Sequence, residues 1–332
     1  MQVNELFKQS NTILLDGGMG TMLQAAGLKL GARPEELNIT DPALIEGIHG
    51  QYAAAGSRIV NANTFGASAH KLAGSAYTLE QVITAGIENC KRACAPYGAL
   101  TALDVGPLGE LLEPSGTLAF EDAVAEYARI VKVGEAAGAD LIFFETYTDL
   151  YELKAALLAA KENTRLPILA SMSFEAGGRT FTGCTVESFA ATARGLGADA
   201  VGINCSLGPK EIFPMAKRLA EAVPGNFPVF VKPNAGLPRA DGSGYDITPQ
   251  LFALQMKPYR ELHLFAAGGC CGTTPEFIKL LNGTFAGCTP GRPAHRMPSV
   301  LCTPVDTVTV DGITVVGERI NPTGKKRFQQ AL

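Results

Sequence analysis

Three cysteines near the ends of apolar segments could bind a metal. Cys205 closes one such segment, and the vicinal pair Cys270 and Cys271 closes another. If each segment is a strand of a parallel barrel, both ends lie at the same mouth and the three thiols converge there. Zn²⁺ binds thiolates at about 2.3 Å in a tetrahedron, and a catalytic zinc site leaves its fourth position open. The residue types therefore favour a three-thiolate zinc site.

The vicinal pair sets a geometric condition, because neighbouring side chains in a regular strand point to opposite faces. Cys270 and Cys271 can share one metal only if the chain bends there, and the glycines on both sides of the pair permit a bend. The spacing contains no CxxC motif, so a second interpretation stays open. In it, Cys205 is a buried thiol and the vicinal pair is a redox couple.

Charged side chains at other segment ends could recognise a polar substrate. Asp16 is followed by Gly17 and Gly18, and such a turn can offer backbone N–H groups to a small anion. Glu145 ends the apolar run LIFFE, where an unpaired carboxylate is costly to bury. Its partner would be a substrate ammonium or, alternatively, a buried lysine or arginine. A Schiff base on Lys232, as in an aldolase-type barrel, is a minor third interpretation.

These residues need a framework that brings segment ends together. The apolar segments recur roughly 27 to 44 residues apart, the length of a strand–helix unit, at 13–18, 57–65, 100–107, 139–146, 166–173, 198–205, 228–234 and 262–271. Helical periodicity between them is clear at 121–137, where Gly138 suits the left-handed residue after a helix. Eight such units predict an α/β fold, a (β/α)8 TIM barrel with the zinc site at the C-terminal mouth of the strands. An open doubly wound sheet is the alternative.

Composition narrows the function classes. The chain has 332 residues, a formal net charge of −4, 46% hydrophobic and 18% charged residues, and no run of Lys or Arg. This balance allows a large core and argues against nucleic acid or an acidic membrane as partner. The start resembles no signal peptide, and no apolar stretch reaches the ~18 residues that span a bilayer. We therefore expect a cytoplasmic protein with reduced thiols.

The other cysteines and the histidines are expected to be structural. Cys90 and Cys94 lie four residues apart on a predicted helix, a spacing that suits packing against the barrel. The remaining cysteines lie in predicted loops without a partner motif: Cys184, Cys288 and Cys302. Among the unpaired histidines, His263 falls within the eighth apolar segment and is expected to be packed.

The end of the chain differs from the barrel. We expect the barrel to cover 1–297, a linker with one short strand to cover 298–312, and 313–332 to begin a strand, a polar loop and a helix. The last segment is too short to fold alone. It is therefore predicted to be the truncated start of a second domain.

Six motifs carry a family resemblance. They are DGGMGT at 16–21, NANTFGA at 61–67, ETYTD at 145–149, GINCS at 202–206, PNAG at 233–236 and GGCCGTTPEFI at 268–278. Together they resemble the homocysteine S-methyltransferase family over roughly residues 5 to 292. The tail VVGERINPTGKKRF at 315–328 is similar to the opening of the pterin-binding domain of cobalamin-dependent methionine synthases.

The resemblance implies roles for particular residues. It implies that the zinc ligands are Cys205, Cys270 and Cys271. It implies that the amino-acid end of homocysteine is held by Asp16, the amides of Gly17 and Gly18, and Glu145. Asn234 would contact substrate, or fill the fourth zinc position when substrate is absent. No catalytic residue beyond the zinc site is implied, since a zinc-bound thiol is deprotonated at neutral pH.

The implied reaction is transfer of a methyl group from methylcobalamin to homocysteine, giving methionine. The cobalamin would sit on a separate module, and a folate bound to the pterin-binding module would regenerate it. Two alternatives remain open: a stand-alone methyltransferase that uses betaine or S-methylmethionine as donor, and a zinc- or thiol-based sensor without turnover.

Overall fold

The computed structural model describes residues 11–29, 31–239, 244–293, 297–310, 312–315, 317 and 326–330. Within them, eight parallel strands close into a barrel in chain order. The strands are β1 (Ile13–Leu15), β2 (Ser57–Asn61), β3 (Leu100–Val105), β4 (Leu141–Tyr147), β5 (Ile168–Met172), β6 (Ala200–Asn204), β7 (Val229–Lys232) and β8 (Ala266–Ala267). Each predicted apolar segment contains one of them, which confirms the (β/α)8 barrel.

Helices alternate with the strands. They are α1 (Met19–Ala25), α2 (Leu37–Thr40), α3 (Pro42–Ala55), α4 (Leu79–Cys94), α5 (Phe120–Ala136), α6 (Leu150–Asn163), α7 (Val186–Gly195), α8 (Pro209–Glu221), α9 (Pro249–Met256), α10 (Pro275–Phe285) and α11 (Lys326–Gln329). Short 3₁₀ helices cover Pro34–Glu36, Ala95–Tyr97 and Lys257–Leu262. The helix predicted at 121–137 is α5, and Gly138 follows it with φ of 89°. That left-handed value is open to glycine without steric cost, so the chain turns there into β4.

Alternate strand residues fill the barrel interior with apolar side chains. The rings of Phe143 and Phe230 meet at its centre with their centroids 5.0 Å apart. Gly202 makes room for this pair, because a Cβ at that position would lie 2.3 Å from the ring of Phe230. The interior of the barrel is therefore filled by packed apolar side chains.

The same alternation aims polar side chains at the mouth. A strand places residues i and i+2 on one face, so the residue two positions after each interior side chain also faces inward. Asn61, Asp104, Glu145 and Lys232 occupy that position on β2, β3, β4 and β7. All four are buried, Lys232 to 2% exposure. They form a polar layer directly above the packed apolar side chains.

The helices bury their inner faces against the outside of the barrel. Cys90 and Cys94 on α4 are 0% and 1% exposed, which confirms their predicted packing role. Cys184 and Cys288 are also buried, whereas Cys302 is exposed. In the described part of the chain, no helix is both long enough and apolar enough to cross a bilayer.

Residues after the barrel form more structure than predicted. The segment expected to be a linker contains an antiparallel hairpin, β9 (Ser299–Cys302) and β10 (Thr307–Val310). The hairpin contacts the barrel at α7, because the backbone N–H of Thr185 donates to the carbonyl of Pro304 at 3.1 Å. Most of the strand and loop expected after residue 313 lies outside the described residues, and a short helix follows at 326–329. The domain boundaries stay a prediction.

The expectation for His263 was wrong. His263 lies outside β8, at the end of a 3₁₀ helix, with φ of 49°. Its side chain is exposed, and its Nδ1 lies 3.0 Å from the carbonyl oxygen of Thr289. The apolar run at 262–271 contains the end of a 3₁₀ helix and a turn before the strand. Strand β8 therefore begins only at Ala266, later than the sequence indicated.

His49 on α3 predicts an acid-sensitive fold. It is fully buried, neither ring nitrogen has a hydrogen-bond partner among the described residues, and burial lowers its pKa to about 3. In the unfolded chain a histidine titrates near pH 6.5. The unfolded state therefore binds more protons between about pH 6.5 and 3, and stability falls as the pH drops through this window. Lowering the pH from 7.5 to 5.5 should therefore reduce the free energy of unfolding by about 1.4 kcal/mol through His49.

Urea unfolding of wild type and His49→Leu at both pH values tests this effect. The variant should lose about 1.4 kcal/mol less than wild type on acidification. Gln51→Leu, at an exposed and non-titrating position on the same helix, is the control and should lose as much as wild type. Equal losses in all three proteins would contradict the role given to His49.

Candidate metal and substrate site

The three predicted ligand thiols lie together at the C-terminal mouth. The Sγ atoms of Cys205, Cys270 and Cys271 all lie within 4.8 Å of one another, and those of Cys205 and Cys271 are 3.8 Å apart. A tetrahedral ion about 2.3 Å from each sulfur would set the sulfurs about 3.8 Å apart. The arrangement thus fits a three-thiolate zinc site with one open position.

Backbone bends at both ligand loops bring these thiols together. Cys205 follows β6 with φ of 62°, a left-handed conformation uncommon for a residue with a side chain. Its N–H donates to the carbonyl of Lys232 at 3.0 Å. After β8, the N–H of Cys270 donates to the carbonyl of Pro233 at 2.8 Å, and Gly272 turns the chain with φ of 79°. These contacts tie both ligand loops to β7.

Hydrogen bonds within the cluster favour one thiolate. The thiols of Cys205 and Cys270 both lower the pKa of Cys271, to about 3. The hydroxyl of Tyr245 contributes another hydrogen bond to the Cys271 sulfur. Hydrogen bonding to Cys205 and Cys271, together with burial, raises the pKa of Cys270. In the absence of a metal, the negative charge of the cluster is therefore favoured on Cys271, and a bound cation would be attracted to it.

The side chain of Asn234 contacts the loop that contains Cys270 and Cys271. Its side chain is 5% exposed, and its Oδ1 accepts a hydrogen bond from the backbone N–H of Cys271 at 3.1 Å. This contact fixes the position of Cys271. The roles predicted from the resemblance, contact with substrate or with zinc, stay predictions.

Gly17 and Gly18 allow the loop after β1 to approach the cysteine loop closely. A Cβ on Gly18 would lie 2.8 Å from the carbonyl oxygen of Cys270, and one on Gly17 would lie 2.7 Å from Oγ1 of Thr273. The N–H of Gly18 donates to that Oγ1 at 3.2 Å. One of the two amides expected to bind substrate therefore already has an acceptor within the protein.

A buried ion-pair cluster forms the floor of the mouth. Nζ of Lys232 lies 2.9 Å from Oδ1 of Asp16 and 3.0 Å from Oε2 of Glu145. It also lies 5.0 Å from the ring centre of Phe143. Burial alone would lower the pKa of Lys232, but the two carboxylates raise it well above its usual value. Lys232 is therefore a protonated ammonium, which argues against the Schiff-base interpretation, since that nucleophile must be neutral.

Asp104 belongs to the same polar layer and forms no salt bridge with any residue that the structure describes. It is 6% exposed, and its Oδ1 is buried without a hydrogen bond to any described residue. Burial raises the pKa of its carboxyl, and the negative charge of Glu145 raises it further. Oδ1 of Asp104 is therefore a buried hydrogen-bond acceptor without a donor among the described residues.

One cavity of about 340 Å³ connects the thiols with the charged floor. Its wall includes the predicted residues Asp16, Gly17, Gly18, Glu145, Cys205, Cys270 and Cys271, together with Asp104, Lys232 and Tyr245. All predicted site residues except Asn234 thus line this cavity. Asn234 contacts the backbone of Cys271. Sequence reasoning did not identify Tyr245, which lies in a loop without a motif.

Comparison with known proteins agrees with this arrangement. A family model described as homocysteine S-methyltransferase matches residues 13–285. The chain belongs to this family. The matched segment includes all three clustered cysteines and the whole ion-pair floor, and the family places the chain among the methyltransferases.

Two sequence relatives of this family member are longer proteins. Methionine synthase from Mycobacterium tuberculosis (strain ATCC 25618 / H37Rv) is 32% identical over 343 residues, covering 96% of this chain and 28% of that protein. Methionine synthase from Mycobacterium leprae (strain TN) is 32% identical over 350 residues, with the same two shares. The chain thus spans less than a third of the length of these relatives.

Solved structures support the fold. The homocysteine methyltransferase MmuM from Escherichia coli in its oxidized form superposes with a TM-score of 0.73 at 23% identity, covering 85% of this chain and 98% of that one. Its metallated form gives a TM-score of 0.70 at 24% identity, covering 85% and 99%. The family barrel is therefore present here over most of the chain.

Proposed function

We propose that this chain is the homocysteine-activating part of a cobalamin-dependent methionine synthase. In this proposal, Cys205, Cys270 and Cys271 hold Zn²⁺, and the cavity beside them holds homocysteine. The observation that carries the proposal is the triangle of thiols opening onto a cavity with a charged floor. The 32% identity to methionine synthases supports it.

In this proposal, different residues bind the substrate, hold the metal and position the cavity wall. Asp16 and Glu145 on the floor, with the loop of Gly17 and Gly18, would hold the amino-acid end of homocysteine, so that its thiol points at the cysteines. Zinc held by Cys205, Cys270 and Cys271 would supply a Lewis acid that lowers the pKa of a neighbouring thiol, so that the thiol is a nucleophile at neutral pH. Asn204 helps to hold the wall in place, because its Oδ1 accepts hydrogen bonds from Thr146 N–H at 3.0 Å and Ser171 Oγ at 2.9 Å.

We place the methyl donor outside this chain. The tail at 315–328 resembles the start of a pterin-binding domain, and the matched methionine synthases are more than three times longer than this chain. The proposed partners are therefore the cobalamin-binding and pterin-binding modules of a full-length enzyme, with methylcobalamin as donor. Because the site needs three free thiols, we place the protein in the reducing cytoplasm.

The proposal is tested by incubating the zinc-loaded chain with L-homocysteine and free methylcobalamin. We expect methionine to form, and cob(I)alamin to be released as the absorbance of methylcobalamin falls. Betaine and S-methylmethionine, tested in parallel at equal concentration, should give no methionine above the rate without protein.

Two outcomes would change the assignment. Turnover with betaine or S-methylmethionine and none with methylcobalamin would favour a stand-alone methyltransferase. Tight homocysteine binding without turnover from any of the three donors would favour a sensor. The reaction should also stop when a chelator removes the zinc, and resume when zinc is restored.

A further inference from the structure

Asn204 ends β6 and contacts both of the loops that carry the clustered thiols. It directly precedes Cys205 in the chain, and its Nδ2 lies 3.8 Å from the Sγ atom of Cys270. Asn204 is 0% exposed. One buried asparagine therefore joins the two cysteine loops, the first through its backbone and the second through its side-chain amide.

The backbone of Thr146 fixes which end of this amide faces the sulfur. Oδ1 of Asn204 lies 3.0 Å from the backbone nitrogen of Thr146, and a backbone N–H can only donate. The amide oxygen must therefore face that N–H, and it also accepts from Oγ of Ser171 at 2.9 Å. The NH2 group is left to donate to Oγ1 of Thr146 at 2.6 Å and to the sulfur of Cys270.

Further contacts hold the amide in this position. The hydroxyl of Ser173 donates to the backbone carbonyl of Asn204 at 2.7 Å. Thr146 has a φ of 65°, which is uncommon for a β-branched residue, and its N–H and its hydroxyl both bond to Asn204. Such a backbone conformation persists only where its surroundings fix it. The amide that holds the turn after Glu145 therefore also donates to a sulfur of the metal site.

A hydrogen bond to a ligand sulfur has two effects on a metal site. A thiolate accepts such a bond more strongly than a neutral thiol does, so the bond favours the charged form that binds a metal. The bond also directs the sulfur and withdraws charge from it. Loss of such a supporting contact typically lowers metal affinity roughly 10- to 100-fold.

We propose that Asn204 is a positioning residue of the metal site, which directs the sulfur of Cys270 toward the metal and withdraws negative charge from it. Because Asn204 is fully buried, it acts through Cys270. This inference rests on the proposed function, since it takes Cys205, Cys270 and Cys271 as the metal ligands.

The test uses cobalt(II) in place of zinc, because its absorption reports the charge on the ligand sulfurs. The sulfur-to-cobalt charge-transfer absorption moves to longer wavelength when a ligand sulfur becomes richer in electrons. In Asn204→Ala we expect this absorption at longer wavelength than in wild type. We also expect the affinity for zinc to fall about 10-fold, measured by competition with a chromophoric chelator.

Two control variants separate this role from a general loosening of the turn. Ser171→Ala and Thr146→Val each remove one hydrogen bond of the same amide and keep the Nδ2 donor that faces Cys270. Both should keep the cobalt absorption of wild type and a zinc affinity close to it. The same spectral shift in both controls as in Asn204→Ala would overturn the proposal, because the shift would then come from the turn.

The outcomes also distinguish this inference from the proposed function. A cobalt absorption of Asn204→Ala identical to that of wild type would overturn the role of Asn204 and leave the three-thiolate site standing. Absence of zinc and cobalt binding to wild type would overturn both. Circular dichroism reports folding, and if Asn204→Ala folds poorly, Asn204→Leu, which has a similar volume and no donor, is measured with the same expectations.

Discussion

Cys205→Ala and Cys271→Ala will each bind zinc at least about 100-fold more weakly than wild type. A structural zinc site with four ligands contributes roughly 10–16 kcal/mol of apparent binding free energy. The share of one ligand is then about 3 kcal/mol, which is a factor of about 100 in affinity. Wild type should retain one zinc per chain after dialysis against a moderate chelator, and both variants should retain almost none. Zinc is measured by atomic emission.

Cys302→Ser is the matched control, since Cys302 is exposed on the hairpin and outside the thiol cluster. It should retain the zinc of wild type. Full retention of tightly bound zinc by Cys205→Ala or Cys271→Ala would contradict the metal assignment, and would leave the interpretation of Cys270–Cys271 as a redox pair. Near-native circular dichroism of the variants would show that lost zinc reflects lost ligands.

Lys232→Met should lower the free energy of unfolding by about 3–5 kcal/mol at pH 8, because it leaves Asp16 and Glu145 buried without their cation. Both carboxylates lie within 3.0 Å of Nζ in wild type, and their side chains are only 6% and 11% exposed. Removing one partner of a buried pair costs more than the pair contributes, since the remaining charge cannot regain its water. Urea denaturation measures the effect.

The loss should shrink as the pH falls. Burial raises the pKa of Glu145 and the charge of Lys232 lowers it, so removing the lysine raises the pKa of this carboxyl further above its unfolded value of about 4. Carboxyls with raised pKa values destabilise the fold at high pH, and protonation relieves this as the pH drops. We therefore expect a smaller difference between variant and wild type at pH 5 than at pH 8. Lys132→Met, at an exposed position, should cost under about 0.5 kcal/mol at both pH values. A pH-independent loss in Lys232→Met would indicate that lost packing causes it.

The strands could be predicted because each carries its own signal. Buried parallel strands are nearly continuous apolar runs, and all eight runs contain a barrel strand. The cysteines could be placed at the mouth for the same reason, since the C-terminal ends of barrel strands share one face. The hairpin at 299–310 was not foreseen as two strands, because its segments are short and are stabilised by contacts with α7.

The ion pairs of Lys232 could not be predicted from the sequence pattern. The sequence showed that Glu145 needed a positive partner and that Lys232 lay on a barrel strand, but a substrate ammonium and a buried lysine or arginine both remained open as that partner. Only closure of the barrel brings a carboxylate oxygen of Asp16 and one of Glu145 within 3.0 Å of Nζ of Lys232. Asn234 illustrates the same limit, because its contact with Cys271 depends on how two loops pack.

The sequence by itself thus determined the barrel, the inward alternation of polar side chains and the identity of the clustered thiols. These depend on local periodicity and on residue type, both of which are written in the chain. The tertiary structure alone decided which charges pair, that Oδ1 of Asp104 has no hydrogen-bond partner among the described residues, and that His263 is exposed. Those outcomes depend on distances between residues far apart in the chain, which are set only when the barrel closes and excludes water from its mouth.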